Sequence, residues 1–311
     1  MILISGGLGY LGGRIAKYLL DSGFKVKIGS SRDSPHIPVE LSSCEVVLCD
    51  LFDIESLEIA CKGVSAIIHL ASLNAKECND NPTTALLING LGTLKLLDAA
   101  KSNNVAKFIY FSTAHVYGYP LAGEISENSA TQPAYNYAIT HKLAEDYVLK
   151  ESLNGSIKGT IFRLTNGVGS PINKEANCWM LVVNDLCKQV VLNHKMKLHS
   201  HKLTQRDFVA ITEVCSIVSH ALVDDMLNNE IINISSGVSL TLEELTSIIA
   251  DESSKLFDFR PEVDFRQSLN FEHIEKLSIS SKKLKNFGYC INSDLSNEIR
   301  NLLINCQNWF L

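Results

Sequence analysis

Gly6, Gly9 and Gly12 recur at every third residue, directly after the apolar run Ile2-Leu3-Ile4 and directly before a helical pattern. A strand that turns on glycines into a helix start brings its backbone close to a ligand. The free N–H groups there, at the positive end of the helix dipole, suit a phosphate or pyrophosphate. The same triplet also serves as a plain strand-to-helix turn; its place between strand and helix favours phosphate. A second group ends the next strand, where Gly29 is followed by Ser30, Ser31 and Arg32. A carboxylate at that point would hold the 2′-hydroxyl of NAD, and none is present. Two small donors and a fixed cation suit the 2′-phosphate of NADP instead, the alternative being NAD with Arg32 solvated and Asp33 on the ribose. A third group joins Ser112 and Thr113, at the end of a later strand, to Tyr137 and His141, which lie four residues apart and share one face of a helix.

The elements that must position these groups follow from periodicity. Apolar stretches at Phe24–Ile28, Glu45–Cys49, Ser65–Leu70, Val105–Phe111 and Lys158–Leu164 read as strands. Between them lie helical patterns at Arg14–Asp21, closing at Gly23, then Ile54–Cys61, Thr84–Lys101, and from near Ala134 past Glu145. Repeated strand–helix units predict an α/β fold, a doubly wound parallel sheet with helices on both faces, and ligands of such sheets bind at the carboxyl ends of the strands. Beyond residue 165 the pattern loosens. A helix with Trp179 and Leu186, a strand at Ile231–Ile234, a helix capped by Thr241 with Glu244 three residues on, and a last helix at Asp294–Ile304 suggest a smaller C-terminal domain. The expected division is a dinucleotide-binding domain over 1–165, with returning segments near 205–235, and a substrate-binding domain formed mainly by 166–311.

Composition bounds the function classes. The chain has 311 residues, 46% of them hydrophobic, enough for a sizeable core. A net charge of −6 without a basic block argues against nucleic acid, and no apolar run has the length of a membrane span. Nine cysteines without a C-x-x-C pair, and a strand in place of a leader, predict reduced thiols and a cytoplasmic protein. His194, His199 and His201 read as loop or strand residues, with no metal expected.

These segments together resemble the extended short-chain dehydrogenase/reductase family, in its nucleotide-sugar epimerase/dehydratase branch. The resemblance rests on Ser5-Gly6-x-x-Gly9-x-x-Gly12, Asp50-Leu51, Ile68-His69-Leu70-Ala71, Asn89 with Gly92-Thr93, Thr113 with Val116-Tyr117-Gly118, Tyr137 with Glu145, Arg163 to Asn166, and Arg206-Asp207-Phe208. It spans nearly the whole chain and implies a Rossmann-type domain binding NADP, or alternatively NAD. Gly6, Gly9, Tyr10, Leu11 and Gly12 would meet the pyrophosphate, and Asp50 with Leu51 the adenine. Leu70, Ala71, Ser72 and Asn89 would border the route to the nicotinamide. Thr113 and Tyr137 would face the reacting hydroxyl or ketone of a nucleotide-linked sugar, Tyr137 passing the proton while hydride moves between nicotinamide and sugar carbon. Asn166 and Arg206, with Arg266 as a second clamp, would hold the nucleotide diphosphate. The plain alternative for Arg206 is an ion pair with Asp207. Glu127 and Trp179 are placed where a sugar or base would touch, and the family resemblance implies a homodimer in which the helix bearing Tyr137 takes part.

One position departs from the family pattern. A lysine usually stands four residues after the tyrosine, where it bonds the nicotinamide ribose and lowers the tyrosine pKa; here the residue is His141, followed by Lys142. Either His141 or Lys142 takes the lysine's place, or the site has lost its chemistry; His141 is the expectation. Without a fixed cation the tyrosine rests protonated, which tilts the expectation toward a 4-keto reductase, with a 4-epimerase as the alternative and a non-catalytic dinucleotide-binding protein as the second. Dehydratases of the family follow the Thr113-type hydroxyl with Asp-Glu. Here Ala114-His115 follow, which speaks against that chemistry.

Overall fold

Ile2-Leu3-Ile4 opens β1 (Ile2–Ser5), buried along its whole length in the computed structural model, which describes residues 1–266, 276–292 and 294–311. A strand covered on both faces carries a continuous apolar run in place of an alternating one. The chain then forms α1 (Tyr10–Asp21), β2 (Val26–Ser30), β3 (Glu45–Leu48), α2 (Ile54–Cys61), β4 (Ala66–His69), α3 (Ala75–Asp80), α4 (Pro82–Ala85), α5 (Thr93–Ser102) and β5 (Lys107–Thr113). It continues through β6 (Gly123–Ile125), α6 (Asn136–Leu153), β7 (Lys158–Leu164), β8 (Asn166–Val168), α7 (Val182–Asn193), β9 (Lys195–Leu198), β10 (Gln205–Ala210) and α8 (Ile211–Val223). The remainder is β11 (Ile231–Ile234), β12 (Ser239–Thr241), α9 (Leu242–Phe257), β13 (Glu262–Phe265), β14 (Leu277–Ile279), α10 (Lys282–Asn286) and α11 (Ser296–Phe310).

Seven strands form one sheet in the order β11-β7-β5-β4-β1-β2-β3, with every pairing parallel. This is the doubly wound, Rossmann-type arrangement that the strand–helix alternation predicts. Ile15, Ala16 and Leu19 of α1 and Val214 and Val218 of α8 cover one face. Leu57 of α2, Leu96, Leu97 and Ala100 of α5, and Ala144 and Val148 of α6 cover the other. A smaller assembly holds the three-stranded sheet β12-β10-β8, with a core drawn from α7, α9 and α11. The segment 205–235 divides between them: β10 belongs to the small sheet, while β11 is the edge of the large one.

The stretch predicted as one helix over Thr84–Lys101 is α4 and α5 joined by a π-helical turn, Leu86–Gly92. A Cβ on Gly92 would lie 2.8 Å from Leu51 Cβ, and one on Gly90 2.9 Å from Leu143 Cδ2. Close packing on both sides accompanies the wider turn, which leaves no mark in the apolar period. Helix α3 is absent from the periodicity-based expectation, although its signal is local: Asn74 and Glu77 form a reciprocal capping box. The helix assigned to Trp179 and Leu186 begins only at Val182. No helix among the described residues is long and apolar enough to cross a membrane.

Candidate active site

The glycine loop is a tight cradle. Gly6 has φ +70°, and a Cβ there would fall 2.9 Å from the Ala71 nitrogen; one on Gly12 would fall 2.3 Å from the Gly6 carbonyl oxygen. Gly9 begins α1 with no side-chain cap, so the first N–H groups of the helix keep their donors for an anion. Tyr10 and Leu11 are half-buried, and the Tyr10 hydroxyl donates to the Gly169 carbonyl at 2.9 Å, which ties α1 to the small assembly. Across the sheet edge, Ser30 Oγ accepts from the Arg32 N–H at 3.0 Å, while Ser31 and Arg32 are exposed. Asp50 Oδ1 caps Phe52 N–H at 2.9 Å, and Leu51 is buried behind Gly92. Leu70 and Ala71 are half-buried after β4, and Ser72 is exposed. Asn89, in the π-helical turn, accepts from Leu73 N–H at 2.8 Å and donates to Thr140 Oγ1 at 3.2 Å, fastening the segment after Ala71 to α6. A close glycine cradle against an uncapped helix start fits a dinucleotide.

Thr113 ends β5 and Tyr137 lies in the first turn of α6, so the strand end and the helix start deliver two hydroxyls to one place. Burial pushes the Tyr137 phenol up to about 12 and the nearby Cys78 thiol adds to the rise; a hydrogen bond with the Thr113 hydroxyl works against it. The phenol is therefore protonated near neutral pH. His141 sits one helical turn on, its ring 4.4 Å from that of Tyr137 and nearly perpendicular to it, at 67°. Burial brings its pKa down to about 4, which leaves the imidazole neutral. Its Nδ1 lies 2.7 Å from the Tyr110 hydroxyl, and its buried Nε2 has no partner among the described residues. Lys142 is drawn to Asp146 on the outside of the helix, away from the place of the family lysine. Further along α6, Glu145 accepts a bidentate pair of bonds from Arg163 of β7, at 2.9 and 2.7 Å, with both side chains buried.

A cleft of about 1230 Å³ reaches the chain neighbours of these residues, Ala114 and Tyr135, while Thr113, Tyr137 and His141 themselves are not among its lining residues. Asn166, Arg206 and Arg266 all line it, as do His199 and His201. The Arg206 guanidinium has no hydrogen bond or ion pair among the described residues, and burial lowers its pKa. An ion pair with Asp207 does not explain it, because the Asp207 carboxylate is occupied by Thr165 Oγ1 at 2.7 Å, Ser236 N at 3.0 Å, Ser236 Oγ at 2.9 Å and Gly237 N at 3.0 Å. A half-buried guanidinium without a carboxylate partner is a standing demand for an anion. Asn166 Nδ2 donates to the Asp207 carbonyl at 2.8 Å, which fixes its side chain at the rim. Arg266 is the more exposed cation.

Sequence reasoning missed His115, Tyr119 and Tyr135, which also line the cleft. Their rings pack at centroid distances of 5.6 to 6.4 Å. Burial, with the Arg206 charge second, brings His115 down to about 4. The available signal was position: His115 lies two residues past Thr113 and Tyr135 two before Tyr137. Glu127 and Trp179 do not line the cleft and are engaged elsewhere. Glu127 caps the Asn233 N–H at 2.9 Å, and Trp179 packs on Phe310 of α11, at 5.0 Å between rings. His194 is likewise elsewhere, stacked on Phe259.

Comparison with known proteins bears on the family and the fold. The family model described as NAD dependent epimerase/dehydratase family matches residues 2–235. A putative UDP-glucose 4-epimerase of Methanocaldococcus jannaschii is 26% identical over 312 residues, covering 99% of this chain and 98% of that protein. A GDP-6-deoxy-D-talose 4-dehydrogenase of Aggregatibacter actinomycetemcomitans is 29% identical over 191 residues, 60% of this chain and 61% of its own length. Among solved structures, the UDP-glucose 4-epimerase of Thermus thermophilus in complex with NAD superposes with a TM-score of 0.81 at 23% identity, covering 98% of each chain.

Proposed function

The chain belongs to the NAD dependent epimerase/dehydratase family, and we propose that within it the protein is an NAD(P)-dependent oxidoreductase of a nucleotide-activated sugar, working as a 4-keto reductase. The observation that carries the direction is geometric: the His141 ring lies 4.4 Å from that of Tyr137 and Lys142 is paired with Asp146, so no fixed cation stands beside the phenol. Burial raises the phenol pKa and lowers that of the imidazole in the same sense. Thr113 and Tyr137 hold the ketone oxygen, and Tyr137 gives its proton to that oxygen as the carbonyl is reduced. NAD(P)H, when bound, supplies the hydride. Half-buried Tyr137 carries its phenol proton at the start of α6 beside the end of β5, and the phenol is the donor we assign.

Recognition falls to the small assembly, which we assign as the substrate-binding domain formed mainly by 166–311, against the dinucleotide-binding domain of 1–165 and its returning strand. Arg206 and Asn166 take the diphosphate, with Arg266 as an outer clamp. Replacing Arg206 with leucine should raise KM for the nucleotide sugar by about 10- to 100-fold, the loss of one charge-assisted contact of about 1.5–3 kcal/mol. The dissociation constant for NAD(P)H should stay within twofold; equal weakening of both would remove Arg206 from the substrate side. On the cofactor side, exposed Ser31 and Arg32 at the end of β2 favour the 2′-phosphate of NADPH over NADH. A homodimer would form through α6 and the adjoining helix, where Leu86, Leu87, Leu91 and Ile139 are exposed; sedimentation at twice the 34.3 kDa chain mass is the expected result, and a monomer at micromolar concentration would refute it.

The second reading, 4-epimerisation by transient oxidation, is favoured by the full-length similarity to a putative UDP-glucose 4-epimerase. One assay separates the two. Purified protein receives NADPH, or NADH in parallel, with nucleotide-linked 4-keto sugars, and reduced-nicotinamide absorbance is followed. Consumption supports the reductase. No consumption, together with interconversion of nucleotide-linked hexose isomers, supports the epimerase, and cofactor binding with neither leaves a non-catalytic protein.

A further inference from the structure

Tyr110 points its hydroxyl, from the buried middle of β5, at a histidine that a family pattern would have as lysine. It is 3% exposed, and His141 Nδ1 at 2.7 Å is its hydrogen-bond partner among the described residues. Nearby polar groups are otherwise engaged. His69 opposite it in the sheet is bonded at both ring nitrogens, to Ser5 Oγ at 2.5 Å and Thr93 Oγ1 at 2.9 Å. Glu145 is held at both oxygens by Arg163. The Tyr110 proton therefore has one place to go.

Two arrangements of the Tyr110–His141 bond exist, and they differ in what they leave unmet. If Nδ1–H donates to the phenol oxygen, the Tyr110 O–H proton is buried without an acceptor, and the Nε2 lone pair is a second buried group without a donor. If the phenol donates to Nδ1, the only unmet group is Nε2–H, since a phenol oxygen with a spare lone pair costs little. Each arrangement leaves one buried donor without an acceptor, at about 1–3 kcal/mol, and the first also strands the Nε2 lone pair, which decides for the second. We propose that Tyr110 is the positioning residue that fixes His141 as the Nε2–H tautomer, so that the buried Nε2–H is the donor offered to a ribose hydroxyl of the bound dinucleotide. This rests on the reading of His141 as a cofactor contact. Tyr110 and His141 together then do the bonding work of a lysine without its charge, and one residue cannot be exchanged for the family type without stranding the other.

The full-length protein labelled with 15N-histidine provides the test, with His141 assigned from the His141→Gln spectrum. The expected result is a protonated Nε2 and an unprotonated Nδ1, with the Nε2 signal moving when NADPH or NADH is added. Tyr110→Phe removes a single hydroxyl; the two nitrogens should drift toward averaged shifts, and NAD(P)H dissociation, read by nucleotide fluorescence, should weaken by about 2- to 10-fold, the range of one neutral hydrogen bond. A merely structural Tyr110 would leave the tautomer where it was. Protonated Nδ1 in the wild-type protein would overturn the proposal, even if the variant does not fold. So would an Nε2 signal that ignores the nucleotide, or a Tyr110→Phe protein with unchanged shifts and affinity. None of these readings needs a sugar substrate, so failure of the reductase assay leaves them intact.

Discussion

Replacing Tyr137 with phenylalanine is expected to lower kcat by about 10²- to 10⁴-fold, the usual worth of a positioned general acid, while NAD(P)H affinity changes by less than threefold. The substitution keeps the ring that packs against His141 at 4.4 Å and removes only the oxygen that Thr113 bonds. A structural tyrosine would give the opposite pattern, a lost melting transition with kcat preserved in what remains folded. Retained kcat in a stable Tyr137→Phe protein would end the catalytic assignment.

The pH dependence carries the same argument further. With the phenol pushed up to about 12, reduction uses the form already present, and its rate should be flat between about pH 6 and 9. Oxidation needs the phenolate, whose population rises about tenfold per pH unit below that pKa, so its rate should climb steadily over the same span. His141→Lys would place a cation beside the phenol and lower its pKa. Oxidation should then gain at pH 7 and flatten on the alkaline side. Identical profiles for wild type and His141→Lys would show that a cation at position 141 does not act on the phenol, and that the missing lysine charge does not set the direction.

How much of this was legible in the sequence depended on whether the signal was local. The glycine cradle, Ile54–Cys61, Lys158–Leu164, Ile231–Ile234 and the Thr241–Glu244 cap appear where periodicity and capping put them. The large parallel sheet follows from them, because buried parallel strands write their burial on both faces into the chain. The π-helical turn around Asn89 packs at Gly92 against Leu51, forty-one residues away, and no window sees that contact. Strands as short as β8 and β12 are set by their partners and have no period of their own. The same holds within the site. Tyr137, Thr113 and His141 could be named from spacing, but the role of Tyr110 depends on which way a strand residue faces a helix, and the unpaired state of Arg206 depends on Asp207 finding its donors at Thr165, Ser236 and Gly237.

Glu145 shows how the helix that carries Tyr137 is held, and its replacement by alanine should cost about 3–5 kcal/mol in stability. Its carboxylate and the Arg163 guanidinium bond each other twice, with side chains 1% and 4% exposed. Burial alone would lower the Arg163 pKa; the carboxylate overrides it and raises it. Removing Glu145 leaves that charge buried beside Tyr117, whose ring lies 4.8 Å away, with no carboxylate in its place among the described residues. Desolvation is then uncompensated, which is where the large cost arises. The pair itself is worth much less than its broken half, so Glu145→Leu combined with Arg163→Met should recover most of the stability lost in Glu145→Ala. Urea midpoints of the three proteins check this, and a double variant no more stable than Glu145→Ala would refute it. Activity should separate from stability in the same set. The pair pins α6 to β7 two turns beyond Tyr137, so the double variant, folded but without the directional bonds, should show a kcat reduced by more than its KM is changed. A double variant with full kcat would mean that apolar packing of Ala144 and Val148 alone sets the register of α6, and that the phenol reaches Thr113 without help from the ion pair.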